Sequence, residues 1–143
     1  MHLVREGKAE ALMKGSLHTD ELMAAVVRRE TGLRTARRVS HCFVMDVPGH
    51  ENTLIITDAA VNIAPTLEEK ADILLAPDLE AGNVLAKQLS FLAKADSAGI
   101  VLGARVPIIL TSRADSVRSR IASCAVAVRA AHARRQALQT AAV

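Results

Sequence analysis

Hydrophobic and polar positions divide the first third of the chain into a strand, a helix and a hairpin. Ala9–Met13 is a short, mostly apolar run that predicts a buried strand ending at Lys14. From Thr19, acidic residues come first and apolar residues then recur at helical spacing, which predicts a helix capped by Thr19 and ending near Gly32. Two apolar, β-branched runs flank a turn-forming cluster, and together they predict a hairpin of Arg38–Val47 with Thr53–Thr57.

The middle of the chain carries two conflicting patterns. Thr66, preceded by Pro65 and followed three residues later by Glu69, has the pattern of a helix start. Ile73–Ala76 already has the pattern of a buried strand that stops at Pro77. No turn-length gap separates the two elements, so we expect a break in the pattern at residues 71–73.

Regular alternation returns after the conflict. We predict a helix from Asp78 to Lys94, short strands at Gly99–Leu102 and Ile108–Thr111, and a last helix from about Ala114. The last helix carries an apolar stripe, which we expect to lie beneath its charged residues: Val117, Ile121, Cys124 and Val128. We expect the tail after Ala130 to be loosely ordered. Strands that alternate with helices and consist of continuous apolar runs indicate an α/β fold with a sheet buried on both faces.

Composition narrows the function classes. The 143 residues include no Trp, no Tyr and two Phe, which disfavours the aromatic platforms of single-strand nucleic-acid binding. The net charge of +3 comes from the region Arg113–Arg135, which holds six Arg and one acid. This region suggests either nucleic-acid binding or a solvated helix face, and the apolar stripe beneath it favours the solvated face.

The chain has the features of a cytoplasmic protein without a membrane span. No apolar run approaches the 18 residues of a transmembrane helix, and the N-terminus lacks a secretory pattern. Cys42 and Cys124 show no paired spacing, which favours buried thiols in a reducing compartment over a disulfide. The five His residues lack metal-ligand spacing, and no GxSxG motif supports a catalytic triad, so we expect neither a metal site nor a triad.

Two strand-to-helix junctions are candidate anion sites. Thr111-Ser112-Arg113 lies where a strand ends and a helix begins, the position at which free N–H groups, a hydroxyl and a guanidinium suit phosphate. Asp115 weakens this interpretation, and the alternative is that Ser112 only caps the helix and Arg113 is solvated. The loop Lys14–Thr19 has the same layout, but it matches neither the P-loop nor GxGxxG, and by spacing alone a plain connection is the better interpretation.

Three further residues suggest ligand contact more weakly. Gly82-Asn83 in a first helical turn is typical of a close approach by backbone or ligand, and Lys87 follows one turn later; the alternative for Lys87 is an ordinary surface charge. Asp58 at a strand end suits either catalysis or, more commonly, a turn.

Taken together, several of these strings resemble the phosphate acetyltransferase/phosphate butyryltransferase family. The matching strings are Ala11–Gly15, Gly32–Thr35, Thr57–Glu68, Pro77–Asn83 and Thr111–Arg113. The sequence of these strings is similar to that of the version of the domain that bacteria fuse to an enoyl-CoA-hydratase-like domain. The resemblance covers nearly the whole chain up to about Ala130.

The resemblance implies transfer of an acetyl or butyryl group between coenzyme A and inorganic phosphate, with no bound cofactor or metal. Ser112 and Arg113 match the family's Ser-Arg pair, and Gly15, His18 and Thr19 match the loop of its acyl-phosphate pocket. Many members carry an acid seven residues after that Ser, whereas this chain has Ser119. Asp115 lies one helical turn before Ser119, so we hypothesise that it takes the role of that acid.

The resemblance also implies missing parts. The family's fold has two α/β lobes, similar to isocitrate and isopropylmalate dehydrogenases, with the active site between them. The N-terminal region and the long middle segment of the family have no counterpart here, which makes an internal deletion at Ala71–Ile73 the simplest account of the conflict there. We therefore expect residues 1–70 and 71–130 to be two joined segments of the domain, with weak or absent turnover. The alternative function is a non-catalytic remnant or interaction module that associates with itself or a homologue through exposed sheet edges.

Overall fold

A mixed six-stranded sheet organises the protein. The computed structural model describes residues 1–37, 39–58, 72–76, 79–112 and 115–140. Its elements are α1 (His2–Arg5), β1 (Leu12–Met13), α2 (Thr19–Val26), β2 (Ser40–Asp46), β3 (Leu54–Asp58), β4 (Asp72–Ala76), α3 (Leu79–Phe91), β5 (Asp96–Leu102), β6 (Ile108–Ile109) and α4 (Val117–Thr140). The strand order is β1-β6-β5-β2-β3-β4, with parallel pairs at both edges and antiparallel pairs between them. The predicted α/β class is confirmed.

The predicted hairpin forms the centre of the sheet. β2 pairs antiparallel with β3, and Cys42 lies opposite Thr57 while Met45 lies opposite Leu54. Alternate residues point to opposite faces of a strand. Met45 and Ile56 are therefore buried together on one face, where they pack against α3.

Helices cover the two faces of the sheet unequally. One face carries α1 and α2, whose Val4 and Val26 pack on Val101 and Ile108. On the same face α3 packs over β3, β4 and β5, with Met45 of β2 in the same cluster. The other face carries α4, which contacts β5 and β6 through a cluster around Ile100. None of the helices in the described ranges is long and apolar enough to cross a membrane.

The region of conflicting patterns contains a strand. β4 begins at Asp72 and pairs in parallel with β3, with Leu54 opposite Asp72. The 13 residues between β3 and β4 are of the length that a parallel crossover requires. The predicted helix start at Thr66 lies outside the described residues, as does the predicted cap Asp78.

The second helix is shorter than predicted and has a different cap. Its N-cap is His18, not Thr19, and the carboxylate of Glu21 accepts the main-chain N–H of His18 at 3.3 Å. The helix ends at Val26, well before Gly32. At Gly32 the backbone turns so tightly that a Cβ atom would lie 2.3 Å from the carbonyl oxygen of Arg28, so only glycine fits.

The last helix differs from its prediction in three respects. It begins at Val117 and is capped by Ser116, whose Oγ accepts the N–H of Ser119 at 3.0 Å, whereas the predicted start, Ala114, lies outside the described residues. Three of the four residues of the predicted apolar stripe do not face the sheet, because Val117, Ile121 and Val128 are 71%, 64% and 65% exposed. Only Cys124 is half-buried and packs against the cluster around Ile100. Beyond residue 130, where we expected loose order, the helix continues to Thr140.

Small side chains explain how α4 is oriented. Its buried residues are Ser123 and Ala127, and the Oγ of Ser123 accepts the main-chain N–H of Gly99 at 2.9 Å. A helix that lies this close to a strand buries small residues and turns its large ones outward. Near its end, Arg134 donates to the carbonyl oxygen of Ala104 at 3.1 Å and Arg135 pairs with Glu10, so the last turns are attached to the rest of the protein.

Candidate functional site

A cavity of about 750 Å³ opens where two parallel strands end. β1 and β6 run in parallel, so Met13 and Ile109 lie at the same edge of the sheet, and the following loops lead to α2 and α4. Ligands of α/β proteins bind at this edge because helix N-termini and loop donors meet there. The cavity extends from these loops to α3, which forms another wall.

The loop after β1 contributes Lys14, His18 and Thr19 to the cavity wall. The Lys14 ammonium donates to the carbonyl oxygen of Leu17 at 3.2 Å, which holds the lysine across its own loop. Gly15 belongs to the same loop but does not line the cavity, and the space beside its Cα is open. Of the predicted residues in this loop, His18 and Thr19 thus line the cavity and Gly15 does not.

The loop after β6 contributes Thr111, Ser112 and Asp115. The main-chain N–H of Ser112 donates to Oδ2 of Asp115 at 2.6 Å, and the N–H of Asp115 donates to the carbonyl oxygen of Ser112 at 3.2 Å. These two bonds fix the carboxylate of Asp115 beside Ser112. Arg113, the other predicted catalytic residue, lies outside the described residues.

The third wall comes from α3. Asn83 and Lys87 both line the cavity, and because they are four residues apart they lie on the same face of the helix. Ser90 and Phe91 continue this wall one turn later. The three segments that the sequence indicated separately therefore surround one space.

A group of serines lines the side of the cavity near α4, and the sequence reasoning missed it. Ser116, Ser119 and Ser97 are linked by their hydroxyls, with Oγ–Oγ distances of 3.1 Å and 3.4 Å. Ser123 completes the group, and its hydroxyl donates to the carbonyl oxygen of Ser119 at 2.7 Å. The spacing of 116, 119 and 123 along one helix face was the available signal, although serine at such spacing is common on solvated helices.

The floor of the cavity is formed by the sheet. The rings of His41 and Phe43 lie with their centroids 4.2 Å apart at an angle of 56°. Gly99 lies beside them, where a Cβ would be 3.1 Å from the carbonyl oxygen of Leu110 and 3.3 Å from Nε2 of His41. A glycine inside a strand marks close approach, and that was the one sequence signal for this floor.

Charges around the cavity are unevenly compensated. Asp96 forms an ion pair with Arg118 at 2.6 Å, and the carboxylate of Asp115 accepts the N–H of Ser112. Lys14 and Lys87 supply the positive charge of the wall. Because Arg118 offsets Asp96, the charged side chains named here leave a small positive excess, which favours anionic ligands weakly.

Asp58 and possible metal ligands are the remaining candidates for chemistry. Asp58 ends β3, where its backbone lies opposite Ala76, and the remainder of the motif Thr57–Glu68 after Asp58 lies outside the described residues. Within the described ranges, no three His, Cys, Asp or Glu side chains gather in a way that would hold a metal ion.

The chain's similarity to known proteins is specific. The sequence profile of the phosphate acetyl/butyryl transferase family matches it twice, at residues 1–75 and 66–128. The chain belongs to this family. The two matched regions include all of the predicted site residues, from Gly15 to Asp115.

Individual relatives agree with the profile. A phosphate acetyltransferase of Rhizobium meliloti is 45% identical over 225 aligned residues, which cover 99% of this chain and 71% of that protein. A phosphate acetyltransferase of Rickettsia typhi is 38% identical, covering 89% of this chain and 61% of that protein. The crystal structure of a branched-chain phosphotransacylase from Enterococcus faecalis V583 superposes with a TM-score of 0.75 at 23% identity, covering 91% of this chain and 76% of that one, and it supports the fold.

The alignment with the Rhizobium meliloti protein is longer than this chain. Its 225 positions exceed the 143 residues of the chain by 82, so at least that many positions belong to the relative alone. The two profile matches overlap at residues 66–75. The internal deletion at Ala71–Ile73 stays a prediction. The fusion to a hydratase-like domain stays a prediction.

Proposed function

We propose that this chain binds coenzyme A and phosphate in the cavity and transfers an acyl group between them. In the forward direction, an oxygen of inorganic phosphate forms a bond to the thioester carbonyl carbon and the carbon–sulfur bond breaks. The products are an acyl phosphate and the thiol of coenzyme A, which takes up the proton that phosphate gives up. The observation that supports this proposal is the meeting of Lys14, Asn83 and Ser112, from three separate segments, around one cavity.

The donors of the two loops suit the charge that develops during such a transfer. Attack on the thioester places negative charge on the carbonyl oxygen, and fixed donors stabilise it most in a site that holds them before the reaction. Lys14 is already oriented by its bond to Leu17, and His18, Thr19 and Ser112 add three donors nearby. Lys14 and Lys87 suit the phosphates of coenzyme A and the attacking phosphate. The matched pair of Ser112 and Arg113 belongs to this assignment by resemblance.

Asp115 suits a role in proton transfer. It lies on the cavity wall and is held by Ser112, and the family's usual acid position is occupied by Ser119, which lines the same cavity. In this proposal Asp115 takes the proton of the attacking phosphate and returns it to the departing thiolate. No bound cofactor or metal takes part, and coenzyme A is a substrate. The two cysteines form no disulfide, which suits a cytoplasmic protein.

A second candidate function is self-association. The exposed stripe of α4 consists of Val117, Ile121 and Val128, and α3 exposes Val84 and Phe91. Apolar residues grouped on a surface are typical of interaction sites. In this proposal a second copy of the chain covers the stripe of α4, whether or not the cavity is catalytic.

Ligand binding tests the main proposal directly. The full chain is titrated with coenzyme A and its thermal melting is followed. A ligand at about 100 times its dissociation constant raises the free energy of unfolding by about 2.7 kcal/mol, which for a chain of this length is a rise of about 5–10 °C in Tm. Acyl phosphate formation from acyl-CoA and phosphate is measured in parallel, and we expect it to be far slower than in a full-length relative.

The variant pair Lys14→Ala and Lys8→Ala separates site binding from general charge. Lys8 is an exposed lysine paired with Glu6 at 2.9 Å, and it does not line the cavity. We expect Lys14→Ala to remove most of the shift caused by coenzyme A and Lys8→Ala to preserve it. A wild-type protein whose Tm is unchanged by coenzyme A would contradict the proposal.

A further inference from the structure

The cavity changes character along α2. Thr19 and Met23 both line it, and because they are four residues apart they lie on the same face of the helix, separated by about 6 Å along its axis. At the start of the helix the wall is polar, with Lys14 and His18 nearby. One turn further on, it is apolar. A ligand anchored by the polar end therefore extends toward Met23.

The apolar part has a defined set of side chains. Met23, Val39 and Leu110 are half-buried and pack against the buried cluster that contains Val101 and Ile108. These three half-buried residues and Val101 line the cavity. Phe43 contributes its ring from the sheet floor, where the His41 ring and the carbonyl oxygen of Leu110 lie against Gly99. We refer to the space bounded by Met23, Val39, Phe43, Val101 and Leu110 as the acyl pocket.

We propose that the acyl pocket holds the hydrocarbon part of a four-carbon acyl group and that Met23 sets the upper limit of its length. This inference rests on the proposed function, because it assigns the carbonyl of the thioester to the polar donors at the start of α2. An acetyl group has one methyl beyond the carbonyl and does not span a helical turn. A butyryl group reaches the wall formed by Met23 and removes two more methylenes from water.

The chemistry of the wall supports a longer chain over acetyl. The five residues that define the acyl pocket present thioether, aliphatic and aromatic surface, and His41 lines the same space, opposite Val101 in the pairing of β2 with β5. Displacement of water from the aliphatic and aromatic part of this wall by methylenes is favourable. Each methylene moved from water into an apolar site strengthens binding by about fourfold, so butyryl-CoA is expected to bind about 15-fold more tightly than acetyl-CoA.

The test compares dissociation constants of acetyl-, butyryl- and hexanoyl-CoA by calorimetry on the full chain. For wild type, we expect the dissociation constant of acetyl-CoA to be about 15 times that of butyryl-CoA. Met23→Phe places a ring where the end of the chain lies and is expected to reduce this ratio to about fourfold or less. Met23→Ala opens the pocket, and hexanoyl-CoA should then bind more tightly than butyryl-CoA. Met23→Leu conserves volume and should keep the wild-type ratio.

Controls separate the pocket from the fold and from the proposed function. Val27→Ala changes an exposed residue at the end of the same helix that does not line the cavity, and all three affinities should remain those of wild type. If Met23→Phe does not fold by circular dichroism, Val39→Ala enlarges the same pocket from the sheet side and should favour hexanoyl-CoA. Affinities that respond equally to chain length in every variant would overturn the acyl pocket alone. Absence of binding by coenzyme A and all three thioesters would overturn the proposed function together with it.

Discussion

At the scale of single residues, Asp115 shows how neighbouring groups define the surroundings of a candidate catalytic residue. The sequence offered it as an acid one helical turn before Ser119, where it also opposed the binding of an anion. In the structure it is half-buried on the cavity wall, and Oδ2 accepts the N–H of Ser112 at 2.6 Å. That bond compensates part of its charge, so the same carboxylate both shapes the loop and stands beside the proposed substrates.

Replacement of Asp115 by Asn tests the proton-transfer hypothesis. The amide oxygen of Asn still accepts the N–H of Ser112, so the loop should keep its shape, but the amide cannot take a proton from phosphate. We expect the rate of acyl transfer to fall by about 10²–10⁴-fold, the usual contribution of general acid–base catalysis. Binding of coenzyme A should change little.

Asp96→Asn is the matched control for that change. Asp96 lines the same cavity and its carboxylate is paired with Arg118, so its neutralisation alters the local charge equally without touching Ser112. Its rate is expected to stay within about threefold of wild type, because an exposed ion pair contributes little. An Asp115→Asn enzyme as fast as the control would end the hypothesis.

At the scale of elements, α4 illustrates what a periodic pattern leaves undetermined. Its apolar residues recur at helical spacing, and that pattern predicted the helix correctly but assigned the wrong face to the core. The buried face is defined instead by Ser123 and Ala127, because β5 approaches so closely that only small side chains fit between them. A hydrophobic stripe indicates a contact face only when no closer packing of small residues competes with it.

The start of α4 depends on one capping side chain. Ser116 accepts the N–H of Ser119, one of the helix's otherwise unpaired donors. We expect Ser116→Ala to lower the free energy of unfolding by about 1 kcal/mol, or about 2–4 °C in Tm, measured by thermal circular dichroism. Ser116→Asp retains a cap and should keep the wild-type Tm. Equal melting of the Ala and Asp variants would show that the cap contributes nothing.

At the scale of the whole molecule, one sheet carries a cavity on one side and an exposed apolar stripe on the other. The alignment with the Rhizobium meliloti protein includes at least 82 positions that this chain lacks. Large apolar residues such as Ile121 are exposed on α4. The second candidate function, self-association through α4, follows from that exposure.

Sedimentation or light scattering on Ile121→Glu tests self-association. A charge in the middle of the stripe should convert a dimer of the wild-type chain to a monomer, because a buried unpaired carboxylate is strongly unfavourable at an interface. Gln136→Glu adds the same charge at an exposed position of α4 outside the stripe and should leave the dimer intact. A wild-type chain that is monomeric at high micromolar concentration would exclude this candidate.

The sequence by itself determined the α/β class, the hairpin of β2 and β3 and the family, and it indicated the three segments of the candidate site. Those features depend on local periodicity or on short contiguous motifs, such as Thr111-Ser112, which can be recognised without knowledge of the fold. Only the tertiary structure decided that Lys14, Lys87 and Ser112 surround one cavity, that Gly15 stands outside it, and that His41 and Phe43 form its floor. These outcomes depend on the parallel pairing of β1 with β6 and on the close packing of α4 against Gly99, which bring together residues distant in sequence and which no local pattern encodes.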